Sequence, residues 1–245
     1  MKTNFSFFFN PFTKQMIPFK YGPITIRSPK CVGFSHCPKS YKCVIAGFEE
    51  SEPLQDKTLN FTLIDSDTRF DSSFDSDYFS VYNRSPTFHN GSFSFLSNKG
   101  MLGVMKLKEE EGEIGASWKE FSEPQSPCTD SINTYIVECN GNQLSVFEGP
   151  FGEWVRVFKL NESTMRWNIV ENLGNDMLFV GNTSFSAKAN IPGMENKIYL
   201  PRFYSRSIVF YSLETNKYNT FEDEVVNFDS VREPLNSSWI EPRWN

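Results

Sequence analysis

Two histidines, His36 and His89, are where acid–base chemistry near neutral pH would have to sit in this chain. A Ser-His-Asp site needs the imidazole within hydrogen-bond reach of a nucleophile and a third group that holds it. The run Gly181-Asn182-Thr183-Ser184 is not the Gly-x-Ser-x-Gly elbow that presents such a serine. Ser184 and Ser186 flank Phe185 with the alternation of a strand, and His89 stands beside Asn90-Gly91, where a polar turn-flanking residue is expected. No catalytic residue is assigned, and the chain is not read as an enzyme.

Cys31, His36, Cys37 and Cys43 form the metal-like cluster. Zinc ligands come in close pairs, which this spacing lacks. Cys31 and Cys43 fall in two opposing strands, where cysteine serves as a small buried apolar group. No metal site is expected. Gly149-Pro150-Phe151-Gly152 contains proline and lacks the lysine that would contact a phosphate, and Met194 beside Pro192-Gly193 is a turn residue. No cofactor is expected either. The remaining candidate is a binding one. Arg202-Phe203-Tyr204-Ser205-Arg206 reads as a link joining two strands, yet it carries two arginines and two aromatics, the types enriched at interface centres. Arg202, Phe203, Tyr204 and Arg206 are the candidate partner-binding residues. The alternative is that the aromatics pack on a neighbouring sheet while the arginines are solvated.

The elements that must position these residues are strands. The chain has 245 residues, 25 of them Phe and four Ala, a balance that suits pleated surfaces and not helices. Net charge is −6, which argues against a generic nucleic-acid or anionic-membrane surface, since both need clustered positive charge. No run approaches the roughly 18–20 apolar residues of a membrane span. Phe5–Phe9 is apolar but short, lacks the flanks of a signal peptide, and reads as a strand. Five scattered cysteines fit reduced thiols, hence a cytoplasmic or nuclear protein. The Asn-x-Ser/Thr triplets at Asn60, Asn161 and Asn236 read as polar turns.

Hairpins follow from turn chemistry. One spans 4–20 around Asn10-Pro11-Phe12-Thr13, another 31–48, a third 87–95 on Asn90-Gly91, and a fourth 134–148 on Asn140-Gly141. An Asn-Gly pair readily takes the positive φ angles that a two-residue connection needs. Strands are expected at 61–64 and 78–82 around an acidic, solvated loop, Asp65–Asp77. Glu109–Glu113 is expected as an exposed, mobile loop, having no apolar face.

From Trp167 to Phe221, four apolar runs (168–173, 177–180, 197–200, 208–213) are bounded by turn formers. They predict one four-stranded antiparallel sheet, the unit of a β-propeller. Bulky residues that follow polar turns recur at Met16, Phe70, Trp118, Trp167 and Tyr218, separated by 54, 48, 49 and 51 residues. Kelch-type propellers repeat at about 50. The fold expected is all-β, a kelch-like propeller of about five four-stranded blades, in a single domain over 1–245.

Gly181, Ser184-Phe185-Ser186, Ala189, Pro192-Gly193, Asn196 and Ile198-Tyr199 resemble the signature of the plant F-box-associated domain called DUF295 or the KIB1-4 β-propeller. Phe158–Trp167 resembles that family's strand–turn–Trp element, Phe88–Val104 its hairpin, Asn10–Thr13 its early turn, and Ser238-Trp239-Ile240 with Pro242 and Trp244 its ending. The resemblance spans nearly the whole chain.

It implies a substrate-receptor role. Such proteins usually carry an N-terminal F-box that docks onto Skp1 in a cullin-based ubiquitin ligase, and the propeller presents the target. No F-box-like helical pattern precedes Asn10-Pro11-Phe12-Thr13, and the propeller's first strands, ahead of the Phe5–Phe9 strand, are expected to be absent. Docking onto Skp1 is therefore not expected of this chain, and its first blade is expected to be incomplete. The expected function is a non-catalytic, protein-binding propeller whose partner is a protein, not nucleic acid or a membrane. A propeller-fold enzyme and a truncated, nonfunctional F-box fragment are the alternatives. The closing strand around Trp239 is expected beside the Phe5–Phe9 and Met16 hairpin, since propellers pair strands from their two termini.

Overall fold

The computed structural model describes residues 7–9, 14, 16–18, 31–36, 40, 43–51, 56–63, 69–74, 86–97, 100–110, 113–121, 127–131, 133–205, 207–222, 225–227, 230–231 and 239. Strands β1 (Phe7–Phe9) and β2 (Met16–Pro18) pair antiparallel as a first sheet. The second sheet runs β3 (Cys31–Phe34), β4 (Val44–Ser51), β5 (Asp56–Leu63), β6 (Arg69–Phe74). The third holds β7 (Thr87–His89), β8 (Ser92–Leu96), β9 (Leu102–Glu110) and β10 (Glu113–Phe121). The fourth holds β11 (Asn133–Cys139), β12 (Asn142–Glu148), β13 (Val155–Asn161) and β14 (Arg166–Val170). All three are antiparallel meanders.

The fifth sheet departs from that plan. It contains β15 (Asp176–Phe179), β16 (Phe185–Lys188), β17 (Lys197–Tyr204), β18 (Ser207–Ser212), β19 (Lys217–Thr220) and β20 (Val225–Val226), in spatial order β16-β15-β17-β18-β19-β20. β15 and β17 are parallel, because the β15–β16 hairpin turns the chain back once more before it enters β17. The run 168–173 expected to open this sheet instead supplies β14, the last strand of the fourth. The expected repeat is present with its phase reversed. Phe70, Trp118 and Trp167 lie on β6, β10 and β14, each the fourth strand of a meander, so the aromatic closes a blade, and Tyr218 lies on β19, late in the fifth sheet.

Stacking buries both faces of the third, fourth and fifth sheets, and strand alternation sorts the side chains between the joints. Val44 and Ala46 meet Phe93, Phe95 and Met105 between the second and third sheets. Leu96 and Leu102 meet Ile136, Phe147, Phe158 and Leu160 between the third and fourth. Tyr135, Val137, Leu144, Val146 and Val157 meet Leu178, Ile198, Leu200, Val209 and Tyr211 between the fourth and fifth. Each such side chain contributes roughly 1.5–3 kcal/mol on burial. The inner strands β7, β11 and β16 touch in succession. This is an all-β propeller architecture. Among the described residues no helix is long and apolar enough to cross a membrane.

The Asn-Gly hairpins form as expected, with φ of 47° and 74° at Asn90-Gly91 and 50° and 75° at Asn140-Gly141. Two acidic segments differ from expectation. Arg69–Phe74, inside the predicted loop 65–77, is β6, with Phe70 opposite Phe61 in register. Glu109 and Glu110 extend β9 and pair with Ile114 and Glu113, so the charged run belongs to a long hairpin. Glu109 and Glu110 extend past the last β8–β9 pair, Ser92 with Lys106, to the end of the β9–β10 hairpin, where charge is tolerated. The strand expected at 78–82 lies outside the described residues.

Trp239 is placed by the fifth sheet, and its relation to the Phe5–Phe9 and Met16 hairpin falls outside the described side chains. Its indole Nε1–H donates to Val180 O at 3.1 Å, and its carbonyl accepts from Thr183 Oγ1 at 2.5 Å. Its ring meets Phe179 edge-on at 5.3 Å. It therefore docks on the fifth sheet, where a free carbonyl and an aromatic face serve both halves of the indole. Ser238 and Ile240 lie outside the described residues.

Candidate partner-binding edge

β12 ends at Glu148, and the chain then makes a compact loop before β13. Gly149 N–H donates to Trp154 O at 2.9 Å, Gly152 N–H to Gly149 O at 3.1 Å, and Glu153 N–H to Pro150 O at 3.0 Å. Pro150 presets the φ of a tight turn. Gly149 is required for another reason: a Cβ there would lie 2.3 Å from the Trp154 ring. Trp154 is half-buried, with the Arg156 guanidinium 4.7 Å above its ring. Arg156 also approaches the buried Cys128 thiol at 3.9 Å, and burial pushes that thiol up while the guanidinium pulls it down.

At the apex stands Phe151, 75% exposed, the most exposed large apolar side chain among the described residues. Its φ of 52° is left-handed, a conformation unusual for a bulky residue. A braced loop thus holds an aromatic ring out into solvent, where hydrophobic burial would favour withdrawing it.

The base of this loop is fastened to the fifth sheet. Glu148 receives Arg202 Nη1 at 2.7 Å and Nη2 at 3.3 Å, Asn133 Nδ2 at 2.8 Å and the Tyr218 hydroxyl at 3.5 Å. Burial, then the neighbouring Glu148 charge, raises the Tyr218 phenol well above its ordinary value, and Arg202 opposes the shift. Because Glu148 starts the β12–β13 loop and Arg202 lies just ahead of the β17–β18 turn, the pair brings loop and turn to one edge of the two blades.

The four residues singled out from sequence are thereby placed, and three of them differ from the expected link. Arg202, Phe203 and Tyr204 belong to β17, and the connection proper is the two positions 205–206. Arg202 keeps 6% of its side chain exposed and faces Glu148. Tyr204 is half-buried against the core between the fourth and fifth sheets. Phe203 is half-buried and stands opposite Ile208 on the other face. Strand alternation separates them, so they form no continuous patch. Arg206 lies outside the described residues. Phe151, the most exposed aromatic among the described residues, is not singled out by the sequence. Its available signal was an aromatic residue at the centre of a Gly-Pro-x-Gly turn.

The chemical candidates are dispersed. His36 is exposed, with Nδ1 2.9 Å from Ser35 Oγ, and that oxygen accepts Val44 N–H at 2.8 Å. His89 is half-buried on β7. Among the described residues no carboxylate bonds either imidazole. Ser184 Oγ closes a turn on Gly181 N–H at 3.3 Å. Cys43 is buried and donates its thiol to His36 O at 3.1 Å. Cys37 lies outside the described residues.

A family model described as KIB1-4 beta-propeller matches residues 2–222. An F-box/kelch-repeat protein of Arabidopsis thaliana is 23% identical, with the match covering 97% of this chain. The chain spans 66% of that relative's length, just under two thirds.

Proposed function

Because the chain belongs to the KIB1-4 β-propeller family, we propose that it is a non-catalytic module that recognises a protein partner, as the target-binding domain of an F-box protein does within a ubiquitin ligase. The observation that carries this reading is Phe151. A ring 75% exposed, on a loop braced by Gly149, Trp154 and the Glu148 pair, is a preorganised anchor for an apolar pocket. Phe203 and Tyr204, half-buried on opposite faces of β17, are not one shared contact with it, so the anchor role falls to Phe151. A relative named as an F-box/kelch-repeat protein supports a role in ubiquitin ligation. The proposal sets the protein in the cytoplasm or nucleus, where the buried Cys43, Cys128 and Cys139 would stay reduced.

The test is comparative enrichment of partners from source tissue on the wild-type chain, on Phe151→Ser and on a control, Ile169→Ser, whose side chain is exposed on another edge. A bona fide partner binds wild type and control alike and is weakened roughly 30-fold by Phe151→Ser, the loss of about 2 kcal/mol expected of an interface anchor. If every protein enriched on the wild type is enriched equally on Phe151→Ser, this reading is wrong.

A further inference from the structure

The third and fourth sheets meet across faces that carry unsatisfied polar groups. Phe88 and Phe93 point toward Val44 and Ala46 of the second sheet. By alternation Thr87, His89 and Ser94 therefore face the fourth sheet. From that sheet Gln143 and Ser145 point back. Ser145 stands opposite Ile136 and Phe158, which pack on Leu96 and Leu102. Gln143 Nε2–H donates to Ser94 Oγ at 2.6 Å. Gln143 is 8% exposed and Ser145 0%. Among the described residues, Gln143 Oε1, Ser145 Oγ and His89 Nε2 are buried without a hydrogen-bond partner.

An orphaned buried polar group costs about 1–3 kcal/mol, and native interiors satisfy nearly all of them. Here two such groups lie two residues apart on one strand face, and the third belongs to the sheet opposite. Their chemistry is complementary to one small guest. The amide oxygen accepts, the hydroxyl donates and accepts, and the imidazole nitrogen does one or the other according to tautomer. About three partners of mixed sign is what a buried water takes. Among the described residues, the second and third sheets meet through Val44, Ala46, Phe93, Phe95 and Met105, and the fourth and fifth carry the Glu148–Arg202 pair.

We propose that an internal water binds between the third and fourth sheets. It donates to Gln143 Oε1, bonds Ser145 Oγ, and has its shell closed by His89 Nε2. The joint is thus water-mediated, and Ser145 is a ligand of that water.

Ser145→Ala separates this from a dry interface by sign. If water is held there, the substitution removes one of its bonds, and Tm falls by roughly 2–4 °C. If the hydroxyl is merely orphaned, its removal relieves a penalty and Tm rises. Water-oxygen relaxation dispersion counts long-lived internal waters in both proteins, and the count should drop by at least one in Ser145→Ala. A crystal structure of the unmodified chain should show an ordered water within hydrogen-bond reach of Gln143 Oε1 and Ser145 Oγ. An unchanged count, a raised Tm, or side chains that satisfy one another directly would each overturn the assignment.

Discussion

Arg202 and Glu148, 54 residues apart in sequence, form a two-pronged ion pair at 2.7 and 3.3 Å with both side chains withdrawn from solvent. The pair ties β12 of one blade to β17 of the next. It also fixes where the Phe151 loop begins. Apolar packing alone would let the two sheets slide. A bidentate pair that also engages Asn133 and Tyr218 accepts one register.

Arg202→Met should therefore destabilise strongly, by about 3–5 kcal/mol, because it leaves the Glu148 carboxylate buried without its cation. The double variant Glu148→Leu/Arg202→Met should recover most of that loss, since neither charge then needs desolvation. Thermal unfolding of the two single variants and the double measures the coupling. Additive losses would show that the pair is not the unit described.

Phe151→Gly is expected to stabilise the fold while abolishing the anchor. A left-handed φ of 52° costs a bulky residue about 1 kcal/mol that glycine does not incur, and the exposed ring contributes little burial. Tm should rise by roughly 2–4 °C while partner affinity falls as in Phe151→Ser. A lower Tm would mean the ring packs in the folded state and is no free anchor.

Local features of this fold were legible in the sequence, and relations between distant residues were not. Asn90-Gly91 and Asn140-Gly141 announce their hairpins because the φ requirement is met within two residues. The spacing of Phe70, Trp118, Trp167 and Tyr218 likewise reports a repeat. Whether that aromatic opens or closes a blade depends on which strands pair, and the phase was read backwards. Arg69–Phe74 looked like a solvated loop because its Asp and Ser residues mask the alternation of Phe70 and Phe74. The parallel β15–β17 pair could not be foreseen, since the β15–β16 hairpin carries the signals of an ordinary meander. Arg202 reads from sequence as a partner-binding or solvated residue, and its burial is decided by Glu148, 54 residues away. Phe151 stood in a recognisable turn, but a turn does not disclose which way its ring points.

Gly149→Ala tests the bracing of the loop without touching Phe151. The backbone φ of −77° at Gly149 suits alanine, so any effect is steric. A Cβ 2.3 Å from Trp154 Cε2 cannot be accommodated unless the indole moves. The expected cost is about 1–3 kcal/mol, with a red shift of tryptophan emission and faster proteolysis at Phe151. Wild-type emission and cleavage rates would contradict the close packing.

Trp239 is expected to hold the outer face of the fifth sheet through two separable contributions. Trp239→Phe keeps the ring against Phe179 and removes the bond to Val180 O, a loss of about 1 kcal/mol. Trp239→Ala removes both, approaching the 3–5 kcal/mol of a deleted core aromatic. Denaturant midpoints measure the two losses. Equal losses would mean that the ring contributes no packing there.

Alkaline titration gives a test that no truncation of side chains can mimic. Burial, and after it the Glu195 charge, pushes the Tyr199 phenol up to about 12, and burial raises Tyr211 and Tyr218 as well. The sign follows from proton binding. In the unfolded chain these phenols ionise near 10, while the folded state still holds their protons. Their contribution is thus complete below pH 10 and is lost as pH rises toward the folded values. Tyrosinate absorbance should show these three phenols titrating above the ordinary value near 10, and the unfolding free energy should begin to fall near pH 10. Tyr199→Phe should flatten part of that fall, at the cost of about 1 kcal/mol near neutrality, since the Tyr199 hydroxyl donates to Met194 O at 3.1 Å. If the alkaline slope is the same in Tyr199→Phe, its phenol is not the buried proton carrier that its place beneath Phe179 and Phe221 requires.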